Sequence, residues 1–339
     1  MMTMLKAMTP RMPRTEHVAD HMVAMTQTES TNSLARNLVD ADALGLTDGG
    51  HGGVPVAVVA ADMQTAGRGR LDHTWVSRPG ESFTVSFATV APRAIATDES
   101  VNGWLQMIAG LAVLDGLDKA ISQCGARPNQ PDCSRTLKWP NDIFVHGLKL
   151  GGILAELVPL SLSQADDASD ASGADDASVM DGASGVGGAG GADNMTDRNM
   201  SGESAADGER VAIIFGIGLN LNLSASNLPT PQSTSLQLHV AGLPDGAVMR
   251  DMIAAGIVSS LKRRITMFIE DPQGQSAALR DEAAAKSWTL GRRVEAHFVD
   301  GGTLEGEAIA LNADASLTVR TDDGVEHVVR TADVGVLPR

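Results

Sequence analysis

Apolar positions along the chain follow two rhythms. VPVAVVAA (Val54–Ala61) is a short valine-rich run and reads as a buried strand, while SFTVSF (Ser82–Phe87) alternates hydroxyl and apolar residues as a half-buried strand does. The rhythm then changes. Trp104, Met107, Leu111, Leu114, Leu117 and Ile121 recur at three- and four-residue steps, which predicts a core-facing helix. TLKW, IFV, GGILAELV and VAIIFGIGLNLNL follow as four further strands, and Ile253, Ile257, Leu261, Ile265 and Phe268 mark a second long helix. A shorter helix is expected from Ser30, with Ser30 or Thr31 as its cap. After Trp288 come GRRVEAHFV, TLEGEAIAL, SLTVR and VEHVV, short alternating segments parted by DGG, NADA and DDG turn signals. These predict a small all-β module, a barrel, over residues 288–339.

Two stretches lack either rhythm. Residues 1–26 carry Met, Thr, Pro and Arg without period and read as a disordered tail. Residues 161–210 are Ser, Ala, Gly and Asp, with no aromatic residue and no lysine. Their eleven acids against two arginines supply nine of the sixteen net negative charges. Such a segment buries too little apolar surface to offset its ordering entropy, so it is expected to be a disordered insertion between neighbouring strands of one sheet. A net charge of −16 is the wrong sign for general nucleic-acid binding. Cys124 and Cys133 form neither a CxxC pair nor a disulfide framework. With no signal-peptide core and no segment of membrane-spanning length, a cytoplasmic protein without membrane contact is the expectation.

Against this acidic background, positive charge collects in QTAGRGRLDHTW (Gln64–Trp75). Arginines between glycines suit an anion that the backbone itself must approach closely. KWPND then places Lys138 and Trp139 on a strand and releases Asn141 and Asp142 at a proline turn, before KLGGIL begins at Lys149. Each motif has an ordinary alternative. STN (Ser30–Asn32) alone is more often a helix cap than a ligand site, and a Gly-Arg-Gly-Arg run alone more often a solvated loop. GIGLN (Gly216–Asn220) lacks the third glycine and following helix of a dinucleotide fingerprint. Together, two arginines, a lysine and an aspartate answer the demands of phosphoryl or nucleotidyl transfer, which are mostly positioning and electrostatics.

In this order (STN, Q-x-x-GRGR with a downstream Trp, KWPND-x6-KLGGIL-x-E, G-x-G-x-N-x-N, then a small β module) the chain resembles the biotin–protein ligases. The resemblance implies an α+β fold: a mixed β-sheet flanked by helices, like the catalytic domain of class II synthetases, over residues 27–287, and an SH3-like barrel over 288–339. It implies activation of biotin by ATP to biotinyl-5′-AMP, with Mg²⁺, then transfer to one lysine of a biotin carboxyl carrier domain. By the motif match, Ser30, Thr31, Asn32 and Gln64 line the biotin head group. Arg68, Gly69 and Arg70 close over biotin and adenylate, and Lys149 bridges the biotin carboxylate and the α-phosphate. Trp75 and Asn220 are the adenine contacts, and Asp142 orients either the metal ion or the incoming amine. Lys149, Arg70 and Asp142 are the expected catalytic set.

Two departures stand out. Asp72 occupies the place of a second glycine in GRGR-x-G, where it is expected to face solvent or pair with an arginine. Fewer than thirty residues precede STN, too few for the DNA-binding winged helix that some members carry. A ligase without repressor function, monomeric or homodimeric and without a nucleic-acid partner, is therefore expected. A lipoate or octanoate ligase is the nearest enzymatic rival. A biotin-responsive regulator and a non-catalytic biotin binder are rivals of another class.

Overall fold

The computed structural model describes residues 7–47, 53–70, 73–160 and 209–337. Helix α1 (Pro13–Val18) and strand β1 (His21–Thr28) lead into α2 (Thr31–Asp40), β2 (Val56–Gln64) and a miniature hairpin, β3 (Gly67–Arg68) and β4 (Thr74–Trp75). Next come β5 (Ser82–Pro92), α3 (Arg93–Ala96), α4 (Gly103–Gln123), β6 (Arg127–Pro128), β7 (Arg135–Lys138), β8 (Asp142–Val145) and β9 (Leu148–Pro159). Strands β10 (Arg210–Asn220) and β11 (Val240–Ala241) precede α5 (Gly246–Glu270) and α6 (Pro272–Ala285). The chain closes with β12 (Arg293–His297), β13 (Thr303–Leu311), β14 (Leu317–Arg320), β15 (Glu326–Val329) and β16 (Asp333–Val336).

Seven strands form one mixed sheet in the order β1-β2-β5-β10-β9-β8-β7, with only the β1–β2 pair parallel. Its two faces separate by the period-two alternation of strands. Val56, Val58, Phe83, Val85, Phe87, Ile213, Phe215 and Ile217 face the large core shared with α4 and α5. Their neighbours Ala57, Val59, Ala88, Val90, Ala212 and Ile214 pack under α2. Both faces are covered, so the central strands read as nearly continuous apolar runs.

The mixed sheet with helices on both faces is the expected α+β architecture. At its C-terminal side β12–β16 form a five-stranded antiparallel sheet in the order β15-β14-β13-β12-β16, with a register shift between Ala308 and Ala310. Among the described residues β15 and β16 are its two ends and do not pair with each other, so barrel closure is not made by strand pairing.

The tail expected over residues 1–26 is instead α1 and most of β1 where the structure describes it. The Asp251 carboxylate holds the start of α1, accepting from the Thr15 amide at 2.9 Å and the Arg14 amide at 3.1 Å. Strand β1 is a sheet edge with exposed and half-buried positions mixed, so no alternation marks it. The insertion expected over 161–210 lies outside the described residues up to position 208, while Glu209 and Arg210 are described and Arg210 opens β10. Among the described residues no helix is long and apolar enough to cross a membrane.

Candidate active site

On the α2 side of the sheet, small residues replace apolar ones toward one end of β5, β9 and β10. Ser86, Gly152, Gly216 and Gly218 leave space there, because Gly216 pairs with both Ser86 and Leu154, and Gly218 with Gly152. A cavity of about 770 Å³ opens at this place, lined by residues from α2, the β3–β4 loop, the β8–β9 hairpin and the C-terminal sheet. The two glycines of GIGLN are required sterically. A Cβ at Gly216 would stand 2.2 Å from Asn32 Oδ1, and one at Gly218 2.4 Å from Trp75 Cε2.

The floor is a polar network built on the first turn of α2. Ser30 caps the helix by accepting from the Ser33 amide. Thr31 donates its amide (2.7 Å) and hydroxyl (3.1 Å) to Gln64 Oε1. Ser86 Oγ lies 2.8 Å from Thr31 Oγ1 and 2.6 Å from Asn32 Oδ1. Asn32 Nδ2 donates to the Leu154 carbonyl at 3.2 Å and to Glu156 at 2.9 Å. Glu156 also pairs with Arg36 and, at 3.4 Å, with Arg68. Burial pushes its carboxyl up, but hydrogen bonds from Asn32 and Arg36 and the charges of Arg36 and Arg68 hold it below its ordinary value.

Above the floor the charges are paired in advance. Asp142, 7% exposed, sits between two ammonium groups: Lys149 Nζ at 2.7 Å and Lys138 Nζ at 3.3 Å. The Lys149 backbone is clamped by the loop after β10, donating to Gln232 O and accepting from the Thr234 amide, both at 2.8 Å. Arg70 donates to Asn141 Oδ1 at 3.2 Å. Burial lowers its pKa against the opposing charges of Asp333 and Asp142. A cationic ceiling over a hydroxyl and amide floor suits a ligand with an anionic middle and a neutral polar head.

A model of the biotin/lipoate A/B protein ligase family matches residues 55–165, the stretch that carries Arg68, Arg70, Asp142 and Lys149. Over that stretch the chain resembles this family. It is 27% identical over 310 residues to the biotin–[acetyl-CoA-carboxylase] ligase of Mycobacterium tuberculosis, covering 91% of this chain and 85% of the relative. It is 29% identical over 321 residues to the bifunctional ligase/repressor BirA of Bacillus subtilis, covering 95% and 75%. In fold it is similar to a biotin protein ligase from Aquifex aeolicus solved with biotin and ATP, with a TM-score of 0.55, 18% identity, and coverage of 94% of this chain and all of that one.

In this chain, Ser30, Thr31, Asn32, Gln64, Arg68, Gly69, Arg70, Trp75, Asp142 and Lys149 all line the one cavity. Asn220 does not. It is 2% exposed and donates its amide to the Thr234 carbonyl at 2.9 Å, so it fastens the loop that clamps Lys149. Asp72 lies outside the described residues.

Two lysines flank the Asp142 carboxylate, so a metal ion expected there would compete with both ammonium groups for its oxygens. Trp139 of KWPND is structural, donating its indole N–H to the Ala315 carbonyl at 2.9 Å.

Sequence reasoning missed several lining residues. Lys138 and Asn141 flank nominated positions and were within reach of the motif. Trp288 and Arg292, whose guanidinium stacks 3.5 Å over the Trp288 ring, had no signal. Nor did His297 and Asp333 of the C-terminal sheet. Asp333 Oδ2 lies 3.9 Å from His73 Nε2 and so meets the arginine loop across the cavity.

Proposed function

We propose that this protein is an ATP-dependent biotin–protein ligase, which makes biotinyl-5′-AMP and passes the biotinyl group to a lysine of a biotin carboxyl carrier domain. The observation that carries this reading is the Lys138–Asp142–Lys149 cluster. It stands with Arg70 in the same cavity as the Ser30–Thr31–Asn32–Gln64 floor.

In the first half-reaction a carboxylate oxygen of biotin attacks the α-phosphorus of ATP. The bond to pyrophosphate breaks, and a mixed anhydride forms. Two anions must meet, and each repels the other unless cations lie between them. Lys149 is 40% exposed on its side chain, so it can turn from Asp142 toward the carboxylate and α-phosphate while Asp142 keeps its second pair with Lys138. Lys138 stays on Asp142 and keeps that carboxylate in place. Ser30, Thr31, Asn32 and Gln64 offer the donors and acceptors that a ureido ring needs. Trp75 offers a flat face to adenine, and Arg68, Gly69 and Arg70 close over the adenylate. Mg²⁺ enters with the ATP phosphates as part of the substrate.

In the second half-reaction the acceptor amine attacks the acyl carbon, the acyl–phosphate bond breaks, and the proton lost by the amine passes to the departing AMP phosphate. Asp142, released on one side when Lys149 turns, orients that amine. The reading takes the cytoplasm, where ATP is made, as the compartment.

The test incubates the full-length protein with ATP and biotin, lipoate or octanoate, and follows pyrophosphate release and labelling of a carrier domain. Biotin-dependent release and transfer are expected. Release with lipoate or octanoate but not with biotin would move the chain to the other branch of its family.

A further inference from the structure

Beneath the Lys149 hairpin lies a group of side chains that the ligation chemistry leaves unused. Cys133 is buried in the turn before β7, His146 sits exposed in the β8–β9 turn, and His239 is half-buried just ahead of β11. One ligand atom from each lies within 4.8 Å of the other two. The three come from separate segments that the fold draws together. Pairing of Pro128 with Val240 joins β6 to β11, and the Asn129 amide donates to the His239 carbonyl at 2.8 Å. His146 is brought in by the hairpin turn, where it holds a left-handed φ of 50° ahead of Gly147 at 77°. Asparagine or glycine is the usual occupant of such a position. The His146 and His239 rings lie 5.3 Å apart, and Thr234 Oγ1 stands 2.6 Å from His239 Nε2. A hydroxyl on one nitrogen is the kind of outer contact that orients a ligating imidazole.

We propose that Cys133, His146 and His239 form a zinc(II) site. One thiolate and two imidazoles are a donor set for zinc and not for magnesium or calcium, which take oxygen. Tetrahedral bonds of about 2.3 Å to sulfur and about 2.0–2.1 Å to nitrogen place ligand atoms about 3.3–3.6 Å apart. Closing from spacings of up to 4.8 Å therefore takes at most about 1.5 Å, to which rotation of the exposed His146 side chain contributes. Water completes the fourth position.

The site reaches the catalytic machinery through the backbone. His146 lies in the turn between Asp142 and Lys149, and His239 touches Thr234, whose amide binds the Lys149 carbonyl. Bound zinc would fasten the hairpin to the 230–239 loop on both sides of Lys149. It would thereby restrict the turn of this side chain from Asp142 toward substrate.

The test uses untagged full-length protein, stripped with a chelator and titrated with Co²⁺ alone, with Zn²⁺ as competitor. One equivalent of Co²⁺ is expected to give a thiolate-to-cobalt charge-transfer band with tetrahedral d–d absorption, and Zn²⁺ to abolish both. Cys133→Ser should remove the charge-transfer band, while Cys124→Ser should leave it. His146→Ala, at an exposed turn where folding is not at risk, should weaken Zn²⁺ binding at least tenfold. Absence of the band in the wild-type protein would overturn the site. So would its survival in Cys133→Ser, or unchanged Zn²⁺ affinity in His146→Ala; the three groups would then be a buried thiol beside two tilted rings. Should Cys133→Ser fail to fold, the His146→Ala titration decides.

Discussion

Replacing Asp142 by Asn separates what this carboxylate does for the fold from what it does for chemistry. The side chains of Lys138 and Asp142 are 10% and 9% exposed and 3.3 Å apart, so Asp142→Asn leaves a nearly buried ammonium without its counter-charge. Breaking a buried pair from one side costs about 3–5 kcal/mol. Two features put this case at the low end, about 3 kcal/mol. Lys138 lines the cavity and is open to water there, and its ammonium lies 5.7 Å from the Phe144 ring centre. The Lys149 pair adds less than about 1 kcal/mol, because that side chain is 40% exposed. In urea denaturation the midpoint should fall accordingly, with the slope unchanged. The double variant Asp142→Asn/Lys138→Met removes both charges and should return to within about 1 kcal/mol of wild type, since neutral replacement of a buried pair costs little. Biotin transfer to the carrier domain should not return with it. Both variants should be slower by roughly a hundredfold, the loss typical of misplacing an attacking group. Wild-type stability of Asp142→Asn would refute the burial argument. Transfer restored by the double variant would refute the assignment of Asp142 to the amine.

Arg70→Gly should still make biotinyl-5′-AMP but release it, since Arg70 hangs from a glycine loop by its contact with Asn141. Losing one charged contact costs about 1.5–3 kcal/mol, or roughly ten- to more than hundredfold in retention, and an unrelated lysine-rich bystander protein should become biotinylated. If the bystander stays unlabelled while pyrophosphate continues to be released, the latch role is wrong. Gly218→Ala should raise the KM for ATP and leave biotin affinity within about threefold, because its new methyl meets the Trp75 indole and not the floor; an equal loss for both ligands would place Trp75 elsewhere. The Arg264 hydrogen bonds above all, with Lys286 assisting and burial opposing, depress Glu282 from 4.5 to about 2. Its folded pKa lies below the unfolded one, so its stabilisation is complete above about pH 4.5 and lost as pH falls toward about 2. Solvent screening limits this contribution to about 1 kcal/mol. Glu282→Gln should flatten the stability profile across that window, and an unchanged profile would remove Glu282 from it.

How much of this was legible in the sequence depends on where each signal lies. The central strands announced themselves because both faces are covered, and α2 because Ser30 caps it. The cationic ceiling was legible because Arg68, Arg70, Asp142 and Lys149 lie within short motifs whose spacing the local backbone preserves. Strand β1 escaped because an exposed edge needs no alternation. Helix α6 escaped because it buries only Ser276, Leu279 and Ala283, although Asp271 and Pro272 form an ordinary helix start. Asp333 and His297 escaped for a different reason. Their approach to the cavity follows from the docking of the C-terminal sheet, through the indoles of Trp139 on Ala315 and Trp104 on Ala313. No local pattern encodes that contact.

Strand β10 shows why Asn220 stands apart from the glycines beside it. Taken in steps of two, one of its faces runs Ala212, Ile214, Gly216, Gly218, Asn220. The first pair lies under the body of α2, and the second clears room for Asn32 and Trp75. The motif match carries the site one step further, to Asn220. There the strand meets the loop that follows it: the Thr234 carbonyl takes the Asn220 amide, and the Thr234 amide takes the Lys149 carbonyl. Asn220 therefore acts on Lys149 through two hydrogen bonds and one residue. Its amide N–H is committed to the loop that positions the catalytic lysine, while its Oδ1 is buried without a hydrogen-bond partner among the described residues.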